Sequence, residues 1–168
     1  MKFSYYNFNL TVPDDWKLLT EKKSEHGKGQ VAFMPPKGGM SLDLVWESLD
    51  MHRLQGATVE AFIDNYFENL RKNKSYINVE TYKGELVKYA DHEMLLHEFK
   101  YTILQFLRKG SPQRVIGIVM YDNHANRIAY LYCKINKDKE GYENTVRDIL
   151  KTFKCTCNET AVHTDSTA

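Results

Sequence analysis

The segment His92-Glu93-Met94-Leu95-Leu96-His97-Glu98 departs from a zinc-hydrolase signature by one extra residue. In HExxH the histidines stand four apart on a helix, so about 400° of rotation brings both rings to one face. Here the spacing is HExxxH. Five residues make about 500° of helical rotation, leaving the rings about 140° apart. On a strand the odd spacing is worse, because it sends the two side chains to opposite faces. The neighbours Phe99, Tyr101, Ile103 and Phe106 favour a strand. The geometry therefore argues for two strand histidines and against a metalloprotease. His97 shares a face with Leu95 and Phe99 and is expected to be the more buried; His92, just after Ala90-Asp91, is expected to be the more exposed.

Other chemistry is thinner. Cys155-x-Cys157 with His163 offers three soft ligands, where a closed structural zinc site takes four. Incidental cysteines are the plainer reading, with a transient metal or redox role the sharper one. No GxSxG elbow or phosphate-cradling glycine loop is present, and Gly27-Lys28-Gly29 lies in a charged stretch without a flanking strand and helix. Asp14-Asp15 reads as a turn pair rather than a catalytic dyad. No catalytic residue, metal or cofactor is assigned, and the chain is expected not to be an enzyme.

The aromatic content stands above background: eleven tyrosines, eight phenylalanines and two tryptophans. Along Arg127 to Asn136, alternation puts Ile128, Tyr130, Tyr132 and Lys134 on one face, with Tyr121 on the neighbouring strand. Tyrosine joins an apolar body to a polar tip, so these residues suit either a seam between sheet and helix or a half-exposed recognition surface. On the second reading Tyr121, Tyr130, Tyr132 and Lys134 are the candidate partner-binding residues.

The elements that must carry these side chains are legible from periodicity. Phe3 to Val12 reads as a strand closed by Pro13-Asp14-Asp15-Trp16, and Val31 to Met34 as a short strand stopped by Pro35-Pro36. Between Met40 and Glu47, Leu42, Leu44 and Trp46 alternate against Ser41, Asp43, Val45 and Glu47. A helix follows, with Thr58 as N-cap and Val59, Phe62, Ile63, Tyr66, Phe67 and Leu70 on its apolar face. Four strands come next: Asn78 to Tyr89, His92 to Arg108, Gln113 to Asp122 and Arg127 to Asn136. Their separators, among them Lys109-Gly110-Ser111-Pro112, are short, which forces antiparallel neighbours. A second helix presents Tyr142, Val146, Ile149, Leu150 and Phe153, with Glu143 placed to pair with Arg147 one turn on. The expected class is α+β, an antiparallel meander sandwiched by helices. It forms a single domain over residues 1–155, with 156–168 as a polar, disordered tail.

At 168 residues, 42% hydrophobic and 27% charged, the chain has the composition of one globular domain. A net charge of +1 supplies no general attraction to nucleic acid or anionic membrane. MKFSYYNFNL lacks a signal-peptide core, no apolar run reaches membrane-span length, and three cysteines fit a reducing compartment. A cytoplasmic protein is expected.

The opening Leu10-Thr11-Val12-Pro13-Asp14-Asp15-Trp16 resembles the xxPxxW entry of the PsbP-like superfamily. The later parts follow in the same order, ending on Ile149-Leu150-Lys151-Thr152-Phe153, so the likeness covers residues 3 to 154. The superfamily includes a photosystem II extrinsic protein, a nuclear Ran-binding protein, the DcrB lipoproteins and the Eag chaperones. The resemblance implies an α/β/α sandwich that binds other proteins without a shared catalytic set, and it carries over no functional residue. The leading expectation is a non-enzymatic adaptor or chaperone-like module, acting alone or as a homodimer, that uses its aromatic sheet face on an unidentified protein partner. The alternatives are a small-molecule or metal-binding protein with a pocket between sheet and helix, and a hydrolase built around His97.

Overall fold

The computed structural model of the protein describes residues 1–21, 24–49, 58–89, 92–105, 108–136 and 141–156. The chain opens with a hairpin, β1 (Lys2–Tyr5) and β2 (Phe8–Thr11), where one strand is expected from the sequence. Tyr6 and Asn7 take φ of 48° and 68°. Two successive left-handed residues are what a two-residue type I′ turn requires. Tyrosine is not a turn former, so alternation alone does not disclose the break.

Three strands follow, β3 (Lys17–Glu21), β4 (Gly29–Met34) and β5 (Ser41–Ser48), then α1 (Val59–Lys72). Thr58 caps α1 as expected, its hydroxyl accepting from the Ala61 amide. The meander is β6 (Tyr76–Tyr89), β7 (His92–Gln105), β8 (Arg108–Asp122) and β9 (Arg127–Asn136), and the chain then forms α2 (Glu143–Lys151) and β10 (Lys154–Cys155). Lys109 to Pro112 is not the expected separator. It continues β8, with Thr102 paired to Pro112, Leu104 to Lys109, and a register shift between. Gly110 permits this, because a Cβ there would stand 2.6 Å from the Ile103 carbonyl oxygen.

Among the described residues the strands form an antiparallel seven-stranded sheet, ordered β3-β4-β5-β9-β8-β7-β6, and a three-stranded sheet, β1-β2-β10. With two helices, this is an α+β protein. Strand alternation divides the apolar residues between the two faces of the large sheet. Leu42, Leu44, Trp46, Ile116, Met120 and Leu131 pack with Val146, Ile149 and Leu150 of α2, with the small sheet, and with Trp16. On the other face Leu95, Phe99, Val115, Val119 and Ile128 pack against Val59, Ile63, Phe67 and Leu70 of α1.

Helix α2 is also held by charge. Glu143 does not pair with Arg147 along the helix. Instead both reach the sheet, Glu143 pairing with Arg114, and Arg147 with Glu98 at 2.5 Å. Arg114 pairs with Glu98 as well. Burial alone would raise the Glu98 pKa, but these two guanidinium groups hold it below the usual carboxylate range. At the C-terminal end of the described residues, Thr156 donates its amide to the Asn7 carbonyl at 2.9 Å. Residues 157–168, and with them Cys157 and His163, lie outside the described residues. No helix among the described residues is long and apolar enough to cross a membrane.

Candidate functional site

The two histidines of HEMLLHE do fall on opposite faces of β7. His92 belongs to the face carrying α2, His97 to the face carrying α1. The expected order of burial fails, however: His92 is 1% exposed and His97 5%. His92 follows a strand connection, but β10, paired to β2, closes over that corner and brings Cys155 Sγ within 4.8 Å of the ring.

Around His97 the sheet and α1 do not close completely. They leave a cavity of about 310 Å³. That is the lower end of the roughly 300–1,000 Å³ usual for small-molecule sites. Strand register explains its floor. His97 lies opposite Gly117, and Gly117 opposite Tyr132, so one cross-strand row runs imidazole, glycine, phenol. A Cβ on Gly117 would stand 2.8 Å from Tyr132 Cβ and 2.9 Å from the Leu131 carbonyl oxygen. The next row adds Phe99, Val115 and Lys134, and Tyr101 meets Tyr76 of β6 with tilted rings 4.8 Å apart. The roof is α1, through Phe62, Ile63, Tyr66 and Leu70.

The chemistry of this lining is specific. His97 Nδ1 is buried without a hydrogen-bond partner. Burial lowers the His97 pKa to about 4, opposed only in part by the Leu95 carbonyl, so the ring is neutral near pH 7. Tyr66 is pushed up to about 12 by burial and by the phenols of Tyr101, Tyr76 and Tyr132, and burial likewise raises Tyr101, Tyr130 and Tyr132. These phenols therefore serve as neutral hydrogen-bonding groups. Lys134 is the lining's cation, its ammonium 6.0 Å from the Tyr132 ring centroid, and no carboxylate lines the cavity among the described residues.

The four residues expected to bind a partner do share this face, but under α1. Phe62 meets Tyr130 at 5.7 Å and Tyr121 at 6.4 Å between ring centroids. Tyr130, Tyr132 and Lys134 line the cavity, whereas Tyr121 is buried, its hydroxyl without a hydrogen-bond partner. The residues that sequence reasoning did not gather with them are Tyr66, Tyr76, Phe99, Tyr101 and His97. The signal for the last three was the odd-numbered face of β7, which becomes informative only once β8 and β9 are placed beside it.

A second polar cluster lies on the opposite face. Asp122 and Arg127, both fully buried, pair at 2.7 Å across the β8–β9 turn. Arg127 also donates to the carbonyls of Tyr6 and His26 and lies 4.3 Å above the Phe8 ring. Cys155 Sγ stands 3.4 Å from Asp122, and His92 Nδ1 3.6 Å from it. One ligand atom each of His92, Asp122 and Cys155 falls within 4.8 Å of the others, close enough to suggest a metal. The guanidinium argues otherwise. It already neutralises Asp122, and a divalent ion beside it would leave net positive charge in a dry interior even with Cys155 ionised. This cluster ties the small sheet to the large one.

The chain matches no protein-family model and no curated protein sequence. The functional reading therefore rests on the two sites just described.

Proposed function

We propose that this protein is a non-enzymatic binding protein that takes a small, largely aromatic molecule into the cavity between α1 and the sheet. The observation that carries the reading is His97: a neutral, buried imidazole whose Nδ1 lacks a partner, set in a wall of aromatic rings. An unmet buried polar atom costs about 1–3 kcal/mol, a cost that a hydrogen-bonding ligand would relieve. Aromatic walls with a few polar groups are the usual make-up of such sites. Turnover is disfavoured because no acid among the described residues lines the cavity to orient His97 as a base. A protein partner gripping Tyr121, Tyr130, Tyr132 and Lys134 as an open face would first have to displace α1. Kinship with the PsbP-like superfamily, read from the Pro13-to-Trp16 spacing and the element order, is part of the same proposal and is compatible with ligand binding.

The test uses the neutral fluorophore N-phenyl-1-naphthylamine at pH 7.5. Saturable one-to-one binding to the native protein is expected. It should be weakened by Tyr66→Ala, which alters a part-exposed wall residue, and abolished by Val115→Trp, which fills the space. Absence of saturable binding, or binding indifferent to both changes in variants that melt as cooperatively as the parent, would overturn the reading.

A further inference from the structure

The lining of the cavity is asymmetric in charge. Lys134 is its cation, is exposed, and makes no ion pair among the described residues. Of the acids on the same sheet face, Asp43 and Glu47 stand on β5 one strand beyond, Glu93 lies opposite Tyr121 near the start of β7 and pairs with Lys88, and none of the three lines the cavity. Asp43 already accepts from the Ser41 hydroxyl at 2.7 Å. An aromatic wall by itself also suits a cation, but a cationic guest would meet the Lys134 ammonium across Tyr132.

Resting on the binding reading above, we propose that the ligand is a small aromatic monoanion, such as an aryl carboxylate. Its acid group pairs with Lys134, its ring lies among Tyr66, Phe99 and Tyr132, and a second polar atom meets His97. The spacing suits this. His97 and Lys134 are two strands apart and one row offset, so their Cα atoms are separated by roughly 12 Å, given strand spacings of about 4.8 Å and two residues' rise of about 6.6 Å. The lysine stem reaches back over Tyr132 and shortens that span to the length of a two-ring acid.

The test is competition against the bound neutral fluorophore by 2-naphthoate and by 2-naphthamide, which match in shape and differ in charge. The carboxylate should displace the dye at about fivefold lower concentration than the amide, the size expected of a rim ion pair, and the gap should narrow with added salt. Lys134→Met, an exposed change, should bring the two competitors level, each compared against the dye affinity measured on that same variant. Equal competition in the parent protein, or a preference that survives Lys134→Met, would overturn the anion assignment and leave the cavity reading standing. A dye that never binds would overturn both.

Discussion

Gly117 lies directly opposite His97 across the β7–β8 ladder, and a Cβ on it would stand 3.0 Å from His97 Cε1. The same Cβ would press on Tyr132 Cβ and on the Leu131 backbone, neither of which can rotate away. Gly117→Ala should therefore cost about 1–3 kcal/mol, as overpacking does, despite alanine's better fit to a strand. It should also weaken fluorophore binding by disturbing both ring walls of the floor. Urea unfolding alongside dye titration checks both; a stabilised Gly117→Ala variant would show that the floor is looser than described.

His97 should make stability depend on pH. Its folded pKa is about 4 against 6.5 when unfolded, so the unfolded chain binds the proton first. Stability from this residue is intact above about pH 6.5 and is lost as pH falls toward 4, to a total of about 3 kcal/mol. His97→Leu should flatten that part of the profile. Denaturant melts of both proteins at pH 7.5, 5.5 and 4.5 test this; parallel curves would contradict the assignment.

Arg127 and Asp122 stabilise the molecule only as a pair. Arg127→Met should cost about 3–5 kcal/mol by leaving a buried carboxylate uncompensated. Arg127→Met combined with Asp122→Asn should cost less than the single change, since no charge is then stranded. A double variant as unstable as the sum of its singles would mean the two groups act independently.

The phenylalanines of α1 should separate. Phe67 is 4% exposed, and Phe67→Ala should cost about 3–5 kcal/mol. Phe62 is only half-buried, at the roof of the cavity, so Phe62→Ala should cost clearly less. Equal losses in chemical denaturation would place Phe62 in the core proper.

Much of this architecture is local and hence legible in the chain. The Thr58 cap, the apolar face of α1 and the alternation of Leu42, Leu44 and Trp46 depend on neighbours within a turn or two residues, so spacing alone determined them. The same parity argument separated His92 from His97, because strand geometry admits no other outcome for an odd interval. The hairpin at Tyr6-Asn7 escaped, since a left-handed tyrosine has no compositional mark. So did the continuation of β8 through Pro112, where a bulge absorbs residues that read as a turn. Pairing across the sheet was beyond local pattern. Glu143 prefers Arg114 to Arg147 because α2 docks with that side against β8, and His92 is buried because β10 returns to β2. The cavity is the clearest case. Tyr132, Gly117 and His97 are far apart in sequence and become one floor only when β9, β8 and β7 fall into register. Whether an aromatic face lies open or roofed depends on where α1 packs, a long-range choice made by burial of Val59, Ile63, Phe67 and Leu70 that no spacing along the chain encodes.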